Sequence, residues 1–307
     1  MAAGFFACAA PDLDFVIGFV GPVEYLLYHR GATHSLVLLP LWALLFSWIL
    51  SKILREPAGW RALYGVTAMG IGLHIAGDLI TSYGTMVFAP FSDWRAAIGT
   101  TFIIDLWFSG IILVGLVVSA FFYKTRIPSV IVSAALVGYV GFQYLQKQNA
   151  LEFAQTFVNE KGLKNARITA QPRPVSPFNW TVFVSDDHAH RFSHINLVRD
   201  QPKPYRPGDG FVAKVDAPYL PLEQAIWVTR TRYGETDAEA IRQAWNSQAL
   251  DVFRWFADLP AFDGAAKGCV WFVDLRFLTP GRDAMPFRYG ACRGAPGTAW
   301  SLLAPAN

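Results

Sequence analysis

The sequence predicts an α-helical polytopic membrane domain followed by a small α+β domain of mostly antiparallel sheet. Three observations predict it. Of 307 residues 53% are apolar and only 16% charged, against about 25% charged in an ordinary soluble domain, and the mean hydropathy is +0.29. Long apolar stretches lie only before about residue 147, and after it proline-punctuated segments alternate polar with apolar residues. The domains expected are therefore residues 1–147, membrane-embedded, and 148–307, strand-rich and accessory. The formal net charge is +3 with no basic run, which gives no footprint for nucleic acid.

A helix needs about 20 residues to cross a hydrocarbon core of about 30 Å. Four stretches meet that requirement, at about 35–51, 62–82, 100–123 and 127–146. The apolar piece at residues 2–10 is too short to span and lacks the basic start of a signal peptide, so it reads as the end of a helix whose beginning is missing. Lys52, Arg55 and Arg61 join the first two spans, and Lys124 and Arg126 the last two. Basic short loops mark the cytoplasmic side. The expectation follows that residues before about 35, the loop at 83–99 and everything after about 147 face the other side, the bacterial periplasm.

In the second half, WTVFV, FSHINLV and CVWFVDLRF read as half-buried strands by their period of two. Residues 236–258 read as one helix, opened by Thr236 or Asp237 as cap, with Ile241, Trp245, Leu250, Phe253 and Phe256 near one face. Trp180, Trp245, Trp255 and Trp271 are the expected aromatic core. Cys8 is expected to be buried. Cys269 and Cys292 are expected as free thiols, with pairing the alternative if this half meets an oxidising compartment. His188, His190 and His194 read as exposed histidines of a turn and edge strand rather than as metal ligands.

Ionisable residues near spans are costly and by default carry function. Four groups stand out: Asp12 and Asp14 after an apolar helix end; His29, Arg30, Thr33, His34 and Ser35 before the first span; His74 and Asp78 inside the second; and Asp105 at the start of the third. The i, i+4 spacing of His74 and Asp78 stacks them on one helical face. With the orientation above, all four groups fall near one membrane face. Imidazole and carboxylate together suit zinc, manganese or iron, and a carboxylate is able to bridge a second ion. The structural alternatives are a buried pair locking helices for His74 and Asp78, turn formers for Asp12 and Asp14, a lipid-phosphate anchor for His29 and Arg30, and a helix N-terminal carboxylate for Asp105.

The segments PDLD at 11–14, HRGATHSL at 29–36 and HIAGDLITSYGTMVFAPFSDWR at 74–95 resemble the YdjM-like family of bacterial inner-membrane proteins, described as membrane-bound metal-dependent hydrolases. The resemblance covers about residues 11–110. It implies metal ligands drawn from Asp12, Asp14, His34, His74 and Asp78. More distantly, the H-R-G-x-T-H-S and H-x-x-x-D elements look like those of zinc-dependent phospholipase C proteins. Two departures stand against the pattern: a Thr-His pair usual near the initiating methionine is absent, and the usual Asp-Pro of the third span is Asp105-Leu106.

The function expected is hydrolysis of a phosphoester, lipid or small-molecule, by water activated on one or two divalent ions, zinc first, at the periplasmic face of the inner membrane. His29 would act as general acid or base and Arg30 or Arg95 would hold a phosphate oxygen. Thr33, Ser35 and Thr81 would orient ligands, with Asp105 beside them. The competing expectation is a non-catalytic anchor or ion-conducting protein whose periplasmic domain binds a partner.

Overall fold

The computed structural model describes residues 2–234, 238–282, 285–295 and 297–304. The chain divides into two compact units, Met1–Gly99 and Thr100–Asn307.

The first unit is helical. Helix α1 (Ala2–Ala9) leads into a 3-10 helix, Pro11–Phe19, with a bend of 41°. Helix α2 (Pro22–Tyr28) and a 3-10 turn (Ala32–His34) precede α3 (Leu39–Ile53), with a bend of 81°, and α4 (Trp60–Leu79) follows. Small residues let α1 and α4 approach closely: a Cβ on Gly70 would stand 3.0 Å from Gly4 O and 3.1 Å from Ala7 Cβ. Ala7, Ala43, Ile71 and Ile75 form the core between α1, α3 and α4, and Thr67 Oγ1 donates to Ala43 O at 3.2 Å. Ala3 and Ala7 take the inward face of α1, so Cys8, expected inside, is exposed.

The second unit starts with α5 (Leu106–Phe121) and α6 (Ile127–Lys161). The expected boundary at 147 falls inside α6. Its first half carries exposed Ile127, Val130, Ile131 and Val137, whereas Ala150, Ala154 and Val158 further along pack on the sheet. Small buried residues are what let a helix lie close to a pleated surface.

Strands β1 (Arg167–Pro172), β2 (Asn179–Ser185) and β3 (Ala189–Asn196) are antiparallel neighbours. A short helix α7 (Phe211–Asp216) precedes β4 (Leu220–Pro221), which joins β3 in parallel, and β5 (Val228–Thr231) joins β3 antiparallel. A second sheet has the order β6 (Pro260–Ala266), β7 (Cys269–Asp274), β8 (Arg288–Cys292), β9 (Ser301–Leu303), all antiparallel.

Strand β2 is buried at all seven positions, against the half-buried expectation. One of its faces meets α6 through Trp180, Val182 and Val184. The other meets the second sheet through Phe183, with Leu259, Ala261 and Val273.

The helix expected at 236–258 is two helices, α8 (Ala238–Trp245) and α9 (Asp251–Phe256). Ser247 Oγ donates to Ala244 O at 2.6 Å and Arg254 Nη1 donates to Ser247 O at 2.9 Å and to Trp245 O, so side chains close α8 in place of a further turn. The five apolar positions are nonetheless all buried. Thr236 and Asp237 lie outside the described residues. Trp180 and Trp245 are buried, Trp255 and Trp271 half-buried. Cys269 and Cys292, expected as free thiols, are joined by a disulfide, because β7 and β8 pair them directly across the sheet.

Among the described residues two helices, α4 and α6, are long and apolar enough to cross a membrane, and up to four spans result if each bent pair is one. The third expected span is shorter than expected: α5 has 16 residues, about 24 Å, because Asp105 starts it late. Much of α5 and α6 exposes large apolar side chains such as Leu113, Leu116 and Val137, a surface suited to lipid.

Candidate metal centre

Three pieces of the first unit build the site. Pro11 occupies the first turn of its 3-10 helix, where a missing N–H costs nothing, and that helix carries Asp12 and Asp14. The tight segment after α2 carries His29 to Ser35. Arg30 sits there at φ 58°, and Gly31 is required, because a Cβ on it would lie 2.7 Å from Tyr28 O. Helix α4 supplies His74 and Asp78 one turn apart.

Four ligand atoms meet. His34 Nε2 lies 3.1 Å from His74 Nε2, 3.0 Å from Asp78 Oδ2 and 3.4 Å from Asp12 Oδ1. His74 Nε2 lies 3.4 Å from Asp12 Oδ1 and 3.5 Å from Asp78 Oδ2. All four fall within 4.8 Å of one another, a set able to hold a metal ion. A tetrahedral ion with ligands at about 2.0–2.1 Å spaces them about 3.3–3.4 Å apart, and the five distances bracket that value.

The hydrogen bonds around the cluster test the fit. Thr33 Oγ1 donates its proton to Asp14 Oδ2 at 2.6 Å and stands 2.9 Å from His34 Nδ1. Nδ1–H of His34 therefore donates to Thr33, and Nε2 faces the cluster, where a neutral imidazole presents a lone pair. Asp78 Oδ2 is buried and accepts no hydrogen bond, although that Nε2 is 3.0 Å away. Two lone-pair atoms this close repel unless a cation lies between them. Three carboxylates, Asp12, Asp14 and Asp78, converge with one guanidinium, Arg30, and with neutral imidazoles they leave an excess of negative charge that suits a divalent ion. Asp14 and Asp78 are buried, and a buried carboxylate without a counter-charge is unfavourable.

The remaining residues surround these four. Asp14 Oδ1 accepts from His29 Nδ1 at 2.6 Å and Oδ2 from Arg30 N at 3.1 Å, so Asp14 orients its neighbours. Its ligand atom also lies within 4.8 Å of those of Asp12 and His29. Arg30 reaches Asp78 Oδ1 through Nη2 at 2.8 Å and Thr81 Oγ1 through Nη1 at 2.9 Å, and Thr81 Oγ1 donates to Asp78 O at 2.8 Å. Ser35 Oγ donates to Ala89 O at 2.5 Å and accepts from Val37 N and Leu38 N at 3.1 and 3.3 Å, which ties the turn to the loop after α4. Arg95 holds backbone carbonyls, Gly84 O at 2.9 Å and Leu26 O at 3.4 Å.

Asp105 belongs to the second unit, where Oδ1 caps α5 through Trp107 N and Phe108 N at 2.9 and 2.8 Å and Tyr139 OH donates to its carboxylate at 2.9 Å. In the same unit His188 is exposed, but His190 and His194, expected exposed on an edge strand, are buried and half-buried, because β3 has strands on both sides; His190 bonds Ser185 Oγ and Pro260 O and His194 bonds Thr181 Oγ1. Neither belongs to a metal-binding group among the described residues.

Two aromatic residues carry the site without having been anticipated. Tyr25 stacks on His29 at 4.5 Å between ring centroids. The Tyr83 ring meets Arg30 at 5.0 Å, Arg95 at 4.8 Å and the edge of His29 at 5.3 Å. The i, i+4 position of Tyr25 before His29 was the available signal for the first. For the second, only the loop's return toward α2 brings the groups together. Asp12 is the one open ligand, 56% exposed at its side chain against 12% or less for the other three.

Residues 1–150 match the family model described as YdjM inner membrane protein. Over 90 residues the chain is 32% identical to YfhP of Bacillus subtilis (strain 168), itself uncharacterized, which takes in 29% of this chain and 27% of that protein. The match thus spans about a quarter of the relative's length. No solved structure gives a significant match.

Proposed function

From the premise that the chain, through residues 1–150, belongs to the YdjM inner membrane protein family, we propose that it is a membrane-bound hydrolase whose divalent ion, zinc first, is held by Asp12, His34, His74 and Asp78 and whose substrate is a phosphoester. The observation that carries this reading is the convergence of His34 Nε2, His74 Nε2, Asp12 Oδ1 and an Asp78 oxygen that accepts no hydrogen bond. Such an ion supplies Lewis acidity, polarising an ester and making water nucleophilic near neutral pH.

The chain's own residues supply the rest. Asp14 accepts a hydrogen bond from Nδ1–H of His29, which leaves Nε2 of His29 to accept a proton from water and return it to the leaving oxygen. Stacking on Tyr25 and the edge contact with Tyr83 fix the ring. Arg30 and Thr81 set the angle of Asp78. Exposed Asp12 marks the side from which substrate enters. The Cys269–Cys292 disulfide supports an oxidising, periplasmic setting for the second domain.

The test is elemental analysis of detergent-purified protein, followed by a screen of phosphomonoesters and phosphodiesters with and without chelator. Turnover that chelator removes and zinc restores is expected. His29→Gln should keep the metal and lose at least about 100-fold in rate. Metal-free protein that hydrolyses as fast as the loaded form ends the proposal.

The count of four protein ligands favours a second reading, a closed structural ion that locks α4 to the segments before it. Asp12→Asn separates the two. A catalytic centre keeps its ion on three ligands, whereas loss of both ion and fold identifies a lock.

A further inference from the structure

Among the described residues of the second unit, one buried cation has no anion. Arg173 follows β1, and its side chain is 4% exposed. Its Nε donates to Thr181 Oγ1 at 2.6 Å and its Nη1 to Arg276 O at 3.0 Å, both neutral acceptors. Nη2 has no partner. Among the described residues no carboxylate lies within ion-pair distance of Arg173, although the other buried arginines and half-buried Arg199 have such an oxygen: Arg30 has Asp78, Arg276 has Asp274 and Arg199 has Asp216. A guanidinium taken out of water without a counter-charge is unfavourable by several kcal/mol, so a chain that keeps one there has a use for it.

The register explains what surrounds it. Directly paired residues share a face of an antiparallel sheet, so Gln171, Thr181 and His194 project together on the side of β2 that carries Phe183 and meets the second sheet. Thr181 accepts from Arg173 Nε, and its own proton therefore goes to His194 Nδ1, 2.8 Å away. His194 is left with a proton on Nε2. Burial, and after it the charge of Arg173, push His194 down to about 3, so it stays a neutral donor. The Tyr219 ring stands 5.8 Å from His194 between centroids. Tyr219 is fully buried and its hydroxyl has no partner. One guanidinium N–H group and one phenol O–H, both buried and unpartnered, thus flank a neutral imidazole in the interior between two sheets.

We propose that Arg173, Tyr219 and His194 bind a small monovalent anion of halide size, chloride being the abundant one, inside the strand-rich domain. Three donors and one positive charge match such an ion. The burial of Arg173 and Tyr219 favours a small ion over a larger ester or peptide. Bound there, the anion joins β1 to the segment before β4 and stabilises the domain, a role separate from the metal centre of the first unit.

The experiment uses the full chain in detergent at constant ionic strength, with sodium isethionate replaced stepwise by sodium chloride. The expected result is a rise in melting temperature that becomes logarithmic above the dissociation constant, about 3–6 °C for each tenfold of chloride. Tyr219→Phe removes only the hydroxyl and should reduce that rise by at least half, while Arg173→Met should abolish it and leave a folded domain by far-UV circular dichroism. Crystals grown in sodium bromide should show anomalous density beside Arg173. A melting temperature indifferent to chloride, a full chloride effect in Arg173→Met, or a water in place of bromide would each overturn the proposal.

Discussion

Replacing Asp78 by Asn keeps the shape of the side chain and removes its charge, and it acts on two interactions at once. Asp78 Oδ1 pairs with Arg30 at 2.8 Å, with side chains 11% and 6% exposed. Removing one partner of a pair this buried strands the other and costs about 3–5 kcal/mol. Asp78 Oδ2 is one of the four converging ligand atoms. Zinc held by four protein ligands is worth about 10–16 kcal/mol, so one ligand in four accounts for about 3 kcal/mol, roughly a hundredfold in affinity.

The assay is competition with a chromogenic zinc chelator, run beside thermal unfolding in the same detergent. Asp78→Asn should melt lower and bind zinc about a hundredfold more weakly. The double variant Arg30→Gln with Asp78→Asn should recover much of the stability, since the stranded guanidinium is gone, and recover none of the zinc affinity. Zinc affinity unchanged in Asp78→Asn, or restored in the double variant, would refute the assignment of Asp78 as a ligand.

Three further outcomes are expected. His194 is held at about 3 by burial and by Arg173, against 6.5 in the unfolded chain. The unfolded state alone takes up a proton between those values, so the strand-rich domain should keep this contribution above pH 6.5 and lose up to about 1.4 kcal/mol per pH unit below it. A His194→Gln variant with the same acid slope in denaturant titrations would contradict that. Reducing the Cys269–Cys292 bridge, with a sequence separation of 23, should lower the stability of the same domain by about 3 kcal/mol; melting curves unaffected by reductant, with reduction verified by mass, would count against it. Tyr139→Phe removes the hydroxyl that donates to Asp105 at 2.9 Å, a charge-assisted bond, and should destabilise the α5–α6 pair by about 1.5–3 kcal/mol. A change within error in a steric-trap or thermal measurement argues against that bond.

Much of the candidate site was legible one segment at a time. His74 and Asp78 share a helical face by spacing alone, and carboxylates after an apolar helix end or imidazoles before a span stand out because a membrane makes such groups expensive. What each group does was not legible. Asp14 and Asp78 are both acidic residues near a helix, yet Asp14 is filled by His29, Arg30 and Thr33 while Asp78 keeps an oxygen that accepts no hydrogen bond. Arg30 and Arg95 were expected to reach a phosphate, and their guanidiniums contact Asp78, Thr81 and backbone carbonyls. The pairing of Cys269 with Cys292 depends on the β7–β8 register, which a spacing of 23 residues does not specify.

The sequence by itself determined the class of the protein. Apolar run length, period-two alternation and proline punctuation are local signals, and local sterics and hydration act on them without knowledge of the rest of the chain. Tertiary structure alone decided that the 236–258 segment breaks in two, that α6 continues past the membrane stretch onto a sheet, that β2 is covered on both faces, and that four ligand atoms from three segments stand within 4.8 Å of one another. Those outcomes depend on which surfaces meet across long separations, and a contact between residues 12 and 78 leaves no periodicity in the sequence between them.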